Sequence, residues 1–455
     1  MKRIFAWTLA LLLLTGCTAH SAVADAPKDA AGPVSAADTA AEADTADAAA
    51  EPVTLKLAGI DITGEPIDAM VKAFNQAQDA IVIELTDYGT EFGPEEKERA
   101  ASLLTTEILA VSRPDLVYFP DLQFWGTSTI NLLSPLPFIG QGLLLDLDPY
   151  VAQDPDLHPE DILIWDALHQ YGGLYLVSDL FSVQTVVCAP SFYADHAGWT
   201  IAEYLELEAA LPDGCRMFDA MHPAYFLLGI GSRYMQKALD LEQAACDFDN
   251  AEFIALLDSA TKVREYTPVW DGGVCNQMMK GTLIGCYTDV RAPWSVAFDR
   301  TEAGRTEPMA YIGWPTPDGS GGSDIHLLGS LGVMADTAHK DACWQFVKYM
   351  IMNPGYIYDK KLEVRNQGFP LYIPAMPENP ETLTDPNRLF EPLQSDADAF
   401  LALVDQCTTM NFYDDAIMDI ILEEAQELLA GNVTAAETAK NIQDRASLYM
   451  LEQYG

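Results

Sequence analysis

Tyr171–Leu211 reads YGGLYLVSDLFSVQTVVCAPSFYADHAGWTIAEYLELEAAL. Gly172-Gly173 marks a tight turn. A short apolar strand follows, then a loop at Ser178–Phe181. A second strand runs through Val183, Thr185, Val186 and Val187, the β-branched types that suit a pleated, packed surface. Gly198 interrupts the chain, and Gly198–Leu211 has the pattern of a helix that Thr200 is placed to cap. Strand, strand and helix in one run imply a layered α/β chain.

The segments before it extend the pattern. Val53–Gly59, VTLKLAG, alternates as a strand. Pro66–Ala77 opens on proline and sets Ile67, Met70, Val71 and Phe74 at helical spacing. Ala80–Gly89 is a second strand, Glu95–Ala110 an amphipathic helix and Asp115–Asp121 a third strand. This β-α-β-α-β order predicts a mostly parallel sheet covered by helices. Ligands of such sheets sit beyond the carboxyl ends of the strands, which makes Tyr88, Asp121 and Phe124 candidates.

Further on, helices are expected around Tyr225–Leu239 and Ala251–Tyr266. Met279–Trp294 runs strand into loop, and Gly329–Ile351 strand into helix. Two amphipathic helices, about Asp414–Ala430 and Ala435–Glu452, are separated by Gly431-Asn432.

The N-terminus has a different character. Lys2 and Arg3 precede eleven apolar residues, Ile4–Leu14. That is too short to cross a bilayer, which takes about twenty, but suits a secretory signal. Leu14-Thr15-Gly16-Cys17 resembles the bacterial lipobox, which implies a diacylglyceryl group on Cys17, a signal peptide over 1–16 and a lipid anchor as the only membrane attachment. Thr18–Pro52 is rich in Ala, Asp, Glu and Thr and has no aromatic residue. Residues 17–52 therefore read as the lipidated cysteine and a disordered acidic tether.

About four hundred residues remain, typical of two domains. The net charge of -43 excludes nucleic-acid binding, which needs a basic footprint. Of eight cysteines, those beyond Cys17 are odd in number and form no C-x-x-C pair, so neither a disulfide framework nor a zinc pattern is indicated. The histidines lack ligand spacing; no metal or cofactor is expected. There is no Gly-x-Ser-x-Gly, no His-Glu-x-x-His and no phosphate loop. With 68 acidic residues, paired carboxylates are no evidence for a glycosidase. The chain reads as no enzyme.

The order of four segments resembles the family 1 extracellular solute-binding proteins of ABC importers, which include maltose- and other oligosaccharide-binding proteins. They are the early helix with RPDLVYFPD, GQGLLLDLDPYV at 140–151, the Tyr171–Leu211 stretch, and YIGWPTPDGSGG followed by GSLGVMADTAHKDACWQFVKYM. Two departures stand out: Ser178 replaces the family's usual proline, and Cys188-Ala189 its frequent Tyr-Asn.

The resemblance implies a two-lobed periplasmic-binding-protein-like fold of type II, each lobe a mostly parallel sheet flanked by helices. The first lobe would comprise 53–181 plus 330–365 and the second 182–329 plus 366–455. A ligand held in the cleft between them favours the closed form. By position, the family's ligand contacts fall on Tyr88, Asp121, Phe124, Trp125, Asp179, Ser182, Asp289, Arg291, Trp294, Phe412 and Tyr413. Aromatic rings cover sugar faces and polar groups pair with hydroxyls. Trp344 and Phe346 belong to the core, and Trp314 is structural. The implied protein is a monomer on the outer face of a bacterial membrane that hands a carbohydrate, an oligosaccharide, to the transmembrane subunits of an ABC permease. A cationic ligand such as a polyamine, or a sensor or adhesin role, are the alternatives on the same fold.

Overall fold

The structure, a computed structural model, describes residues 51–89, 94–108, 113–119, 134–219, 221–266, 273–354, 368–375, 392–410 and 414–454. They belong to one compact unit, Ala50–Gly455. The strands are β1 (Val53–Gly59), β2 (Ile81–Asp87), β3 (Leu116–Phe119), β4 (Leu180–Cys188), β5 (Arg216–Phe218), β6 (Leu239–Asp240), β7 (Ala245–Cys246), β8 (Leu283–Val290), β9 (Ala310–Tyr311), β10 (Asp324–Leu327), β11 (Ser330–Val333) and β12 (Phe369–Pro370).

A first sheet has the order β2-β1-β3-β11. β1 runs parallel to β2 and β3, with Leu57 opposite both Leu85 and Leu116. The helix Pro66–Ala77 buries Ile67, Met70, Val71 and Phe74, the stripe that its spacing predicts. The Phe74 ring meets Phe346 edge-on at 5.2 Å and Tyr349 at 5.1 Å. That contact joins it to the helix Lys340–Met352. Trp344 is buried there too, and its Nε1 donates to Asp154 Oδ2 at 2.9 Å.

A second sheet has the order β10-β4-β8-β5, with β9 and β12 also on β4. Every residue of β4 is buried, because helices cover both faces. Val186 and Cys188 join a core with the helices Ile201–Ala210, Pro223–Ala238, Ala251–Ala260, Asp415–Leu429 and Ala435–Tyr454. Val183 and Val187 join the other core, with Val296 and Phe400 of the helices Pro293–Glu302 and Gln394–Asp405. Trp314 is buried against Phe218 and Tyr287.

The first sheet is mostly parallel, as expected, while the strand directions of the second depart from that expectation. β4 is antiparallel to β8, β9, β10 and β12, and only β5–β8 is parallel. The cause is the connectivity: β4 enters from the first sheet, and β10 leads straight back to it. Val177 bridges Leu331 of β11, and β4 begins three residues later, at Leu180. Ser178 makes the turn, its Oγ donating to Leu180 O at 2.8 Å and accepting from Leu180 N at 3.3 Å. On the return, Leu327 closes β10 and Ser330 opens β11. Between them Gly329 has φ +80°, and a side chain there would strike the Tyr118 hydroxyl. Phe369 of β12 pairs with Phe181, and its ring lies 4.7 Å from Phe400.

Thr200 caps its helix as expected, in a reciprocal capping box with Glu203. The helix from Ala251 ends at Ala260, not near Tyr266. Tyr266 instead exchanges two backbone hydrogen bonds with Met221, at 2.7 and 3.0 Å, which draws the last residues into an extended path.

Candidate functional site

At the end of the second sheet nearest the first, three adjacent strands carry polar side chains on one face. Gln184 of β4 lies opposite Asp324 of β10 and Asp289 of β8. Ser182 lies opposite His326. Alternate residues of a strand share a face, and cross-strand partners are neighbours. The five therefore form a polar floor where a core would otherwise be apolar.

The charges on this floor are paired within the protein. Arg233, on the helix Pro223–Ala238, spans Asp324 with Nε–Oδ2 at 2.6 Å and Nη2–Oδ1 at 2.7 Å. It also donates to the carbonyls of Gly321 and Ser323. Thr409 Oγ1 donates to Asp324 Oδ1 at 2.7 Å. Arg291, just past β8, donates through Nε to Asp289 Oδ2 at 2.8 Å. The Gln184 amide bonds His326 Nδ1.

Two buried atoms of the floor have no partner: Ser182 Oγ and Asp289 Oδ1. Ser182 itself is wholly buried. Buried polar atoms are rarely left unpaired, and each such case calls for an explanation. The chain then turns from Arg291 into the helix Pro293–Glu302. Trp294 stands at its start, half-buried against the core.

The structure thus brings Ser182, Asp289, Arg291 and the start of the Trp294 helix to one end of one sheet. Asp179 lies in the crossing, its carbonyl accepting from Leu371 N at 3.3 Å. Tyr88 follows β2 at the carboxyl end of the first sheet, with its N bonded to Gly59 O at 3.0 Å. It is half-buried and packs on the core that Val183 and Val187 join. Asp121, Phe124, Trp125, Phe412, Tyr413 and Cys17 lie outside the described residues.

Sequence reading missed Gln184, Arg233, Asp324, His326 and Thr409. Asp324-Ile325-His326-Leu327 does alternate polar and apolar, which was an available strand signal. Arg233 and Thr409 gave none, because only the tertiary fold brings them to β10.

Among the described residues no cluster of His, Cys, Asp and Glu is arranged to hold a metal. None of their helices is long and apolar enough to cross a membrane. The seven described cysteines are free thiols. A cavity of about 830 Å³ is lined by residues within Leu136–Gly142 and Gln170–Tyr175 on one side and Met235–Asp247 on the other, and by none of the floor residues.

No protein-family model matches the sequence. No curated protein is significantly similar to it. Solved structures do match. The sugar-binding protein MalE from Xanthomonas citri has a TM-score of 0.55 at 14% identity, over 88% of this chain and 98% of that one. The galacto-N-biose/lacto-N-biose I-binding protein of an ABC transporter from Bifidobacterium longum has a TM-score of 0.53 at 15% identity, over 89% and 98%. A family 1 extracellular solute-binding protein from Alicyclobacillus acidocaldarius has a TM-score of 0.50 at 15% identity, over 88% and 99%. The chain has the two-lobed fold of a solute-binding protein.

Proposed function

We propose that this chain binds a carbohydrate between two lobes, as the capture subunit of an ABC importer. The observation that carries this reading is the pair of unpartnered buried atoms, Ser182 Oγ and Asp289 Oδ1, at the junction. Ligand hydroxyls satisfy both, since a hydroxyl donates and accepts. Trp294 supplies the apolar ring for a sugar face. The names of two of the matching structures, a sugar-binding protein and a binding protein in complex with lacto-N-biose, support the same class.

Pairing of the charges favours a neutral ligand over a polyamine. Asp289 and Asp324 each hold an arginine, so neither is a free anion for an ammonium group. The reading is of a binding protein and not an enzyme. The first lobe takes in 53–181 plus 330–365 and the second 182–329 plus 366–455. Asp121 reaches the ligand from the first lobe, and Tyr413 adds a second ring. Cys17 carries the lipid that holds the protein on the outer face of the membrane, beside its permease.

A thermal-shift screen with maltotriose, lacto-N-biose, other oligosaccharides and spermidine tests the class, because a ligand of the native state raises the melting temperature. Sugars are expected to raise it and spermidine not; the reverse result would overturn the reading. Ser182→Ala and Asp289→Asn should each weaken binding of the sugar found about tenfold, or 1.4 kcal/mol. Cys17→Ser should release the protein into the medium. Retention of that variant in the membrane fraction would rule out the lipid anchor.

A further inference from the structure

One buried carboxylate has no role in the site above. Asp299 lies on the helix Pro293–Glu302, little more than one turn after Trp294, and is 5% exposed. Its Oδ2 accepts from the Tyr311 hydroxyl at 2.9 Å, and its Oδ1 from Cys275 Sγ at 3.6 Å. The helix Val274–Met279 and the strand β9 are thereby tied to the helix that carries Trp294.

Among the described residues, the groups facing Asp299 include no cation. Glu302, on the same helix, caps Cys275 N at 3.0 Å. Cys286 of β8 donates its Sγ proton to Asp219 at 3.3 Å. Arg300, the helix's basic residue, grips Asp396 with Nε–Oδ1 at 2.8 Å and Nη2–Oδ2 at 2.9 Å. Asp396 is fully buried and spoken for. Among the described residues, every titratable group around Asp299 is thus a thiol, a phenol or another carboxyl. An uncompensated buried charge is costly, and such a group keeps its proton instead. Burial raises the Asp299 pKa to about 7, against the lowering effect of Tyr311 and Cys275.

We propose that Asp299 is a positioning residue that makes ligand capture proton-linked. In its neutral form it lets the helix Pro293–Glu302 pack on β8 and β9 and hold Trp294 toward the ligand; ionised, it loosens that packing. The link to affinity rests on the reading of Trp294 as a ligand-facing ring, but the proton effect on the helix does not.

The sign follows from the direction of the shift. The folded chain binds this proton more tightly than the unfolded chain does. The stabilisation is complete below the ordinary carboxylate value of 3.8 and is lost as pH rises through about 7.

The test compares the wild type with Asp299→Asn, which keeps the size and an acceptor for Tyr311. Without ligand, the wild-type melting temperature should fall as pH rises from about 4 to about 7 and level off above that, and this contribution should be absent in the variant. Acrylamide quenching of Trp294, isolated by subtracting the Trp294→Phe protein, should rise between about pH 6 and pH 8, around the folded-state value of about 7, in the wild type alone. Where maltotriose or lacto-N-biose binds, wild-type affinity should drop severalfold across that range and variant affinity stay level. Equal pH profiles of melting and quenching in the two proteins would overturn the proposal. Proton-linked melting and quenching with no sugar bound would leave it standing and remove the carbohydrate reading instead. A variant that fails to fold is replaced by Tyr311→Phe, which removes the donor to the ionised form. That change should shift the melting transition to higher pH, and an unmoved transition would overturn the proposal.

Discussion

Arg233 and Asp324 form a two-point ion pair beneath the floor, at 2.6 and 2.7 Å, with side chains 18% and 6% exposed. The guanidinium fork also gathers the Gly321 and Ser323 carbonyls, so one side chain fixes the start of β10. Arg233→Met strands a buried carboxylate and should cost about 3–5 kcal/mol, read from urea unfolding. Arg233→Lys should recover little, since an ammonium cannot span both oxygens and the two carbonyls. Full recovery by lysine would mean that the charge alone matters.

Tyr454 closes a second buried site. Its hydroxyl donates to Asp414 Oδ2 at 2.7 Å, beside that of Tyr449 at 2.9 Å, and its ring covers Gly140. Tyr454→Phe should lose about 1–2 kcal/mol. Gly140→Ala, which forces a methyl into the ring, should destabilise in the Tyr454 protein and much less in Tyr454→Ala. Additive effects of the two changes would show that they do not touch.

Gly329 leaves no room for a side chain. Gly329→Ala combines a left-handed φ of +80° with a clash on Tyr118, and should cost about 1–3 kcal/mol. Tyr118→Ala in the same chain should return the part due to the clash and leave the backbone part. Calorimetry of the four proteins separates the two contributions.

His169 offers a pH dependence of opposite origin to that of Asp299. Burial by itself would lower its pKa. The hydrogen bonds from Nε2 to Asp148 at 2.7 Å and from Nδ1 to the Trp165 carbonyl outweigh that and raise it. A raised histidine stabilises fully below its ordinary value of 6.5 and loses that contribution as pH rises through the raised value. His169→Gln should therefore be more harmful at pH 6 than at pH 8. An equal loss at both would make the role of His169 one of packing alone.

Much of the fold was legible because each lobe is built from local patterns. Ile67, Met70, Val71 and Phe74 announced their helix, Thr200 its cap, and the β-branched run from Val183 the crossing strand. Strand direction in the second sheet was not legible, since it depends on which sheet a strand comes from and not on its composition. The floor was only half legible. Ser182 and Asp289 are marked by their places in the chain, but their meeting with Gln184 and His326 is a matter of register. A slip of one residue would turn all of them to the opposite face. Arg233 and Thr409 reach Asp324 from far along the chain, and nothing in their own neighbourhoods records it.

The passes between the sheets are bonded to one another. Val177 and Leu331 exchange both backbone hydrogen bonds, at 3.1 and 2.7 Å, and Leu328 N reaches Leu180 O at 3.1 Å. A laddered ribbon bends by spreading small torsional changes along its length, so rocking of one lobe on the other need break none of these bonds. Deuterium labelling would then report the amides of Val177, Leu328 and Leu331 as slow to exchange. The pivot of the molecule would look rigid on the isotope timescale while the parts it joins swing about it.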